Sequence, residues 1–240
     1  MSALVAYRGH ADPGWKLSST IERNLSVEEN PQHAKKFAAT YDAKCTELLS
    51  SFERFAAGLP GFPDKTAPPL EKWLIGRHHG LASPYLDWTL SPYVAAFFAF
   101  VEVIQKYSGV RSFIPYPSEG HVTVWEFAVW GGLKNSEVEI IEAHTLHGTR
   151  ARSQQSVLTR LCASEYLDLE SFLVAKELGY FLTRYNINLS SAISALRDLK
   201  RMNVSFLTLF PDIEGAALQA NISVGELIDL PDFLISPTSS

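Results

Sequence analysis

The sequence predicts an α+β fold in a single domain, with N-terminal helices packed on a mixed or antiparallel sheet. Three observations point there. Apolar residues at three- and four-residue steps dominate the N-terminal half. Strand-like runs that are apolar on both faces sit in the middle. No linker, repeat or low-complexity tract divides the 240 residues, a length that suits one large core. The domain is expected to span residues 1–235, followed by a polar tail from Ser236 to Ser240.

Leu4 to Arg8 reads as a short strand. Ser26 with Glu29 has capping-box spacing, and Asn30-Pro31 offers an equally good helix start. Ala34, Phe37, Ala38, Tyr41, Cys45, Leu48, Leu49, Phe52 and Phe55 then recur at helical steps. One long amphipathic helix is predicted, stopped by Gly58 and Pro60. Gly58 to Pro69 is a loop, and Leu70 to Gly80 a shorter helix with Trp73 and Leu74 facing inward. Ser91-Pro92 supplies an N-cap and a first-turn proline for a helix reaching Lys106, kept slim by Ala95, Ala96 and Ala99. Val122 to Val129 is mostly apolar on both faces, as in a doubly buried strand. Val138 to Ala143 and Ser156 to Leu161 are further strands, and Ser190 to Arg201 is a helix. Phe206 to Phe210 reads as extended, and Pro211-Asp212 starts a helical turn through Ala216, Leu218 and Ala220.

Composition narrows the function classes. With 46% apolar and 20% charged residues the chain is globular. A net charge of −5 argues against broad adhesion to nucleic acid or anionic membrane, leaving room for a local basic groove. Cys45 and Cys162 make neither a disulfide framework nor a CxxC metal site, and both read as reduced and structural. The N-terminus lacks the features of a signal peptide, and no run has the ~18–20 apolar residues of a membrane span. A cytoplasmic protein without membrane partners is expected. Gly131-Gly132 is a simple turn, so there is no Gly-rich phosphate loop, and no GxSxG elbow occurs. Aromatic and basic interleaving of the kind used by single-strand binders is also missing.

Two segments hold most of the chemistry: Tyr7-Arg8-Gly9, and His78-His79-Gly80 running into Leu86-Asp87-Trp88-Thr89. Arginine presents a planar fork of donors and keeps its charge, which suits phosphate recognition. At Arg8 it ends a strand, and Gly9 allows close approach to the backbone; the alternative is a surface arginine in a turn. Adjacent histidines point in different directions on a helix, no HExxH is present, and no third ligand is evident. A hydrogen-bonded helix-end histidine is therefore preferred over a metal ligand. Asp87 is a general acid or base, or the brace of a turn. Thr89 is a pocket hydroxyl, or simply the residue leading to the Ser91 cap. Trp88 is the tryptophan suited to a stacking wall, the others being core. Arg150 to Ser156 reads as a solvated loop. Glu126, Glu139 and Glu165 are candidate catalytic carboxylates, with no spacing to choose among them.

The order of these pieces resembles the FRG domain family. The matching segments are Tyr7-Arg8-Gly9, Leu17-Ser18-Ser19-Thr20-Ile21 with Arg23, and His78-His79-Gly80-Leu81. They continue through Leu86 to Pro92, Ala95-Ala96 and Phe97-Phe98-Ala99 to Gln154-Gln155 and Leu209 to Ala216. One departure is Ser83-Pro84-Tyr85, where members commonly carry Thr-Arg-Leu. The family is similar in motif order to ADP-ribosyltransferases, which implies a split sheet with NAD as cosubstrate. The resemblance implies that Arg8, with Tyr7 and Gly9, clamps the pyrophosphate and that Trp88 or Tyr85 stacks on nicotinamide. Thr89 then orders the ribose, and Gln154 or Gln155 stands near the expected glutamate, Gln155 being the position assigned. Amide for carboxylate would weaken stabilisation of the oxocarbenium-like sugar.

The expectation is a toxin or phage-defence effector in which His78 or Asp87 orients or deprotonates an acceptor: protein, RNA or DNA. An antitoxin protein is the partner such an effector implies. No metal is called for. Two other classes stay open: a nuclease-type hydrolase using His78 and Asp87, and a catalytically inactive module that binds a nucleotide or a partner.

Overall fold

The computed structural model describes residues 4–25, 40–107, 119–129, 133, 137–143, 148–162 and 166–223. A six-stranded sheet in the order β4-β5-β2-β1-β3-β6 organises them. The strands are β1 (Leu4–His10), β2 (Leu86–Thr89), β3 (His121–Val129), β4 (Val138–Ile141), β5 (Ser156–Leu161) and β6 (Leu182–Asn188). Every neighbouring pair is antiparallel. The mixed α+β class and the antiparallel option of the sequence reading are both present.

The helices are α1 (Thr20–Leu25), α2 (Tyr41–Ala56), α3 (Pro69–His78), α4 (Pro92–Tyr107) and α5 (Thr149–Ser153). They continue with α6 (Leu169–Ala175), α7 (Ala192–Arg201), α8 (Phe206–Leu209) and α9 (Ile213–Ser223). One face of the sheet meets α4, whose Val94, Phe97, Val101 and Ile104 are buried with Val122 and Val124 of β3 and Leu196 and Leu199 of α7. The other face buries Ala6, Leu86, Trp88, Trp125 and Phe127 against Phe172 and Leu173 of α6. A third cluster joins α2 and α3 through Tyr41, Cys45, Leu49 and Trp73. Such burial of apolar surface on both sheet faces is the main stabilising term available to the fold.

Strand β1 and helix α4 meet in a close seam. A Cβ on Gly9 would lie 2.0 Å from the Ala95 carbonyl oxygen and 2.8 Å from the Ala99 nitrogen. Glycine on the strand and alanines on the helix therefore act together. They let the two backbones touch.

Several expectations need correction. Phe206 to Phe210 is not extended: Phe206–Leu209 is helical, started by a capping box in which Ser205 N donates to Thr208 Oγ1 at 3.0 Å. That local hydrogen-bonding device outweighs the strand-like apolar run. The Arg150 segment is the short helix α5, not a loop. Strand β6 was not anticipated, because five of its seven residues, Thr183 to Asn186 and Asn188, are exposed along an edge and break the apolar pattern. Helix α6 was also missed, although Asp168 caps it by accepting from Ser171 N at 2.7 Å. The predicted Ser26–Glu29 capping box and Asn30-Pro31 start lie outside the described residues, as do Gly131-Gly132, Glu165 and the tail. A capping box does exist earlier: Glu22 Oε2 accepts from Ser19 N at 2.5 Å, and Ser19 Oγ from Glu22 N at 3.3 Å. Among the described residues, no helix is long and apolar enough to cross a membrane.

Candidate functional site

Strands β1 and β2 are neighbours in the sheet, yet their ladder holds a single register pair, Tyr7 with Thr89. By contrast β1 pairs with β3 along its whole length, from Leu4–Val129 to His10–Thr123, and all four residues of β2 pair with β5. The missing ladder beyond Tyr7 leaves an opening between β1 and β2. Arg8 reaches across it. Its Nη1 donates to the Asp87 carbonyl oxygen at 2.6 Å and its Nε to His10 Nε2 at 2.9 Å.

A cleft of about 350 Å³ lies over this opening. Tyr7, Trp15, Phe98 and Phe210 give it aromatic surface, while Asp87 and Glu102 bring carboxylates. Burial lowers the Arg8 guanidinium to about 10, partly countered by Asp87, so it stays charged at neutral pH. Burial and the adjacent Arg8 push His10 down to about 3, which keeps it neutral. Since Arg8 Nε donates to His10 Nε2, the imidazole proton sits on Nδ1, a buried atom without a hydrogen-bond partner among the described residues.

A second cleft of about 540 Å³ adjoins the first, and the two share Gln154, Ser156 and Phe210. Arg77, His78, His79 and Arg150 supply its basic wall, and Leu74, Ile75 and Leu158 apolar surface. Arg77 lines this cleft and Asp87 the other, and the ion pair of Arg77 Nη2 with Asp87 Oδ1 stands between them. Burial alone would raise the Asp87 carboxyl, but Arg77 and then Arg8 hold it below the usual carboxylate range. Arg150 Nε pairs with Asp212 Oδ2, and its Nη2 with Glu214 Oε2 at 2.8 Å. The same guanidinium lies 5.1 Å over the Phe210 ring. His78 is lowered from its ordinary value by partial burial, Arg150 and His79, and so favours the neutral imidazole.

The structure brings together Tyr7, Arg8, Gly9, Asp87, Trp88 and Thr89 at the first cleft, and puts His78 in the second. It does not place all of them in the expected roles. Trp88 is buried, its ring 5.4 Å from Phe127 and its Nε1 donating to Thr159 Oγ1 at 2.9 Å. Strand alternation sends Leu86 and Trp88 into the core and Asp87 outward, so the Trp88 indole is no stacking wall. The Thr89 hydroxyl donates to the Gln154 carbonyl at 2.6 Å and accepts from Ser91 N at 3.1 Å, a brace between β2, α4 and the start of β5. Tyr85 lines neither cleft and is buried with Tyr41, Cys45 and Leu158. Gln155 is exposed and outside both clefts; its neighbour Gln154 lines both and donates from Nε2 to the Leu209 carbonyl at 3.1 Å. At Gly9, which also lines the first cleft, helix α4 approaches the backbone.

Glu126 accepts from the Tyr185 hydroxyl at 3.3 Å, and Glu139 stands opposite Arg160 in the β4–β5 register; neither lines a cleft. The cleft carboxylate that sequence reasoning missed is Glu102. Its signal was available: it interrupts the apolar run from Val94 to Ile104. Arg77 and Trp15 gave no comparable sign, and Phe98 and Phe210 stood out only within segments that carry the family resemblance. No group of three or more His, Cys, Asp or Glu among the described residues could hold a metal ion.

Residues 3–108 match the model of the FRG domain family. The match includes β1, β2 and α4, so it takes in the single-pair junction and most of the Arg8 cleft, while that cleft's Gln154, Ser156 and Phe210 and strands β3 to β6 lie beyond it. No curated protein and no solved structure gives a significant match.

Proposed function

We propose that this protein, an FRG domain over residues 3–108, is an NAD-using, ADP-ribosyltransferase-like effector of the toxin or phage-defence type, acting in the cytoplasm. The observation that carries the reading is the opening beside the lone Tyr7–Thr89 pair, with the charged Arg8 guanidinium at its base. A fixed cation beneath aromatic walls suits a ligand that combines phosphates with flat rings. Arg8 has donors left beyond those used on His10 and Asp87, enough for pyrophosphate oxygens. With Trp88 and Tyr85 in the core, Tyr7, Trp15, Phe98 and Phe210 are the rings suited to packing on nicotinamide or adenine.

The chemistry would run as substitution at the ribose. The nicotinamide–ribose bond breaks, nicotinamide leaves with the electron pair, and the acceptor's nucleophile bonds to the same carbon. The developing positive sugar is favoured by a nearby carboxylate, for which Glu102 and Asp87 are the cleft's candidates. The neutral His78 of the adjoining cleft is suited to take the acceptor's proton. Protein, RNA and DNA are the acceptor classes, and an antitoxin is a partner such an effector would call for.

A second reading is a nucleotide-binding module without turnover. It is favoured by the Thr89 hydroxyl being engaged at both its donor and acceptor sides, and by Gln155 lying outside the clefts. The hydrolase reading loses ground because His78 and Asp87 line different clefts. Labelled NAD incubated with wild type and Arg8→Ala in lysate tests these. Label transfer and nicotinamide release that vanish in Arg8→Ala support the transferase. NAD binding without release would leave the binding module, and neither binding nor release would overturn both.

A further inference from the structure

We infer that the cleft between α3 and α5 is a binding site for a nucleoside phosphate. Its position as the acceptor site rests on the transferase reading above, whereas the binding itself does not. Three features of different kinds meet there. Arg77, His78, His79 and Arg150 place cationic or donor groups on one wall. Leu74, Ile75 and Leu158 offer apolar surface of the sort a base covers. Phe210 adds a ring already sandwiched on one side by Arg150, at 5.1 Å.

The two arginines are held in place before any ligand arrives. Among the described residues, Arg77 engages Asp87 through Nη2 only, leaving Nε and Nη1 as donors. Arg150 uses Nε and Nη2 on Asp212 and Glu214, leaving Nη1. Carboxylates that fix a guanidinium lower the entropic cost of its next hydrogen bond, and the N–H donors left over suit phosphate oxygens. Asp212 is the one carboxylate on the cleft wall among the described residues, and Arg150 pairs with it and with Glu214. The volume of about 540 Å³ falls within the range that holds a drug-sized ligand, which a mononucleotide resembles in bulk. The net charge of −5 confines this attraction to the cleft.

Two sources share this chemistry: a free nucleotide, or one unit of a single-stranded nucleic acid. Titrations of the full chain with the four nucleoside monophosphates and with short 5′-phosphorylated DNA and RNA strands separate them. Binding of monophosphates alone assigns a free nucleotide, and binding that needs the strands assigns nucleic acid. His79→Glu and Arg150→Gln are each expected to weaken the ligand by at least about tenfold, the scale of a charged hydrogen bond. His79 is exposed, so His79→Glu tests the site even where Arg150→Gln unfolds the chain. Arg8→Ala, which alters the other cleft, should retain nucleotide binding while losing NAD. The inference is overturned if wild type binds none of these ligands, or if their binding falls with Arg8→Ala and not with His79→Glu.

Discussion

Arg77 and Asp87 join two clefts by a single ion pair, the arginine on the wall of one and the carboxylate on the wall of the other. They come from the end of α3 and from β2, so the pair also ties the helix to the sheet. Asp87 is depressed below its ordinary value of 3.8, burial being outweighed by Arg77 and Arg8. A depressed carboxylate contributes stability above its unfolded value and loses it as pH falls through the folded one. Arg77→Gln removes the larger of the two neighbouring positive charges that lower it, so the Asp87 midpoint should rise. Carboxyl-carbon NMR titration of wild type and Arg77→Gln measures it. An unchanged midpoint would mean that Arg8 alone holds the charge.

Gly9→Ala tests the seam of β1 on α4. The added methyl has a backbone oxygen at 2.0 Å and a backbone nitrogen at 2.8 Å, neither able to rotate away. Overpacking of this kind costs about 1–3 kcal/mol, and occasionally more. Urea unfolding should show at least that loss. Wild-type stability in Gly9→Ala would mean that the strand and helix can separate freely.

The helices and strands that bury a regular apolar pattern were legible: α4 after Ser91-Pro92, and β3 with both faces covered. Pieces whose placement depends on partners were not. Strand β6 is an exposed edge that exists because β3 offers it a ladder, and α8 depends on a hydrogen-bonded cap at Ser205. At the site, Arg8 and Asp87 could be singled out because charged groups sat against core-forming sequence. Whether Trp88 or Asp87 faced the cleft was a question of strand alternation, and the neighbour β5 had to be known to settle it. Arg77, and the place of Phe210 in both clefts, entered only through packing across distant parts of the chain.

His10 predicts an acid-sensitive fold. Its pKa falls from 6.5 to about 3 because of burial and Arg8, so the unfolded chain binds a proton that the folded one refuses between those values. Stability from this group is complete above its unfolded value and is lost as pH drops through that window, at about 1.4 kcal/mol per pH unit. His10→Gln keeps an acceptor for Arg8 Nε without the titration. Urea unfolding at several pH values between neutrality and mild acid should show a flatter acid limb in His10→Gln. Parallel slopes would place the acid sensitivity elsewhere.

Gln154 and Gln155 are adjacent, yet their substitutions should diverge. Gln154 lines both clefts and donates to the Leu209 carbonyl, tying α8 to the shared wall. Gln155 points away and takes a positive φ of 49°, a conformation that costs an L-residue roughly 1–2 kcal/mol. Gln154→Ala should therefore weaken NAD binding by about tenfold, as expected for loss of a wall that orients ligand. Gln155→Ala should leave binding unchanged, and Gln155→Gly should raise the melting temperature because glycine adopts the left-handed backbone without the steric penalty. Calorimetric titration with NAD and thermal unfolding of the three variants provide the comparison. If Gln155→Ala weakens NAD and Gln154→Ala does not, the expected glutamate position belongs to Gln155 after all, and the turn before β5 must rearrange when ligand enters.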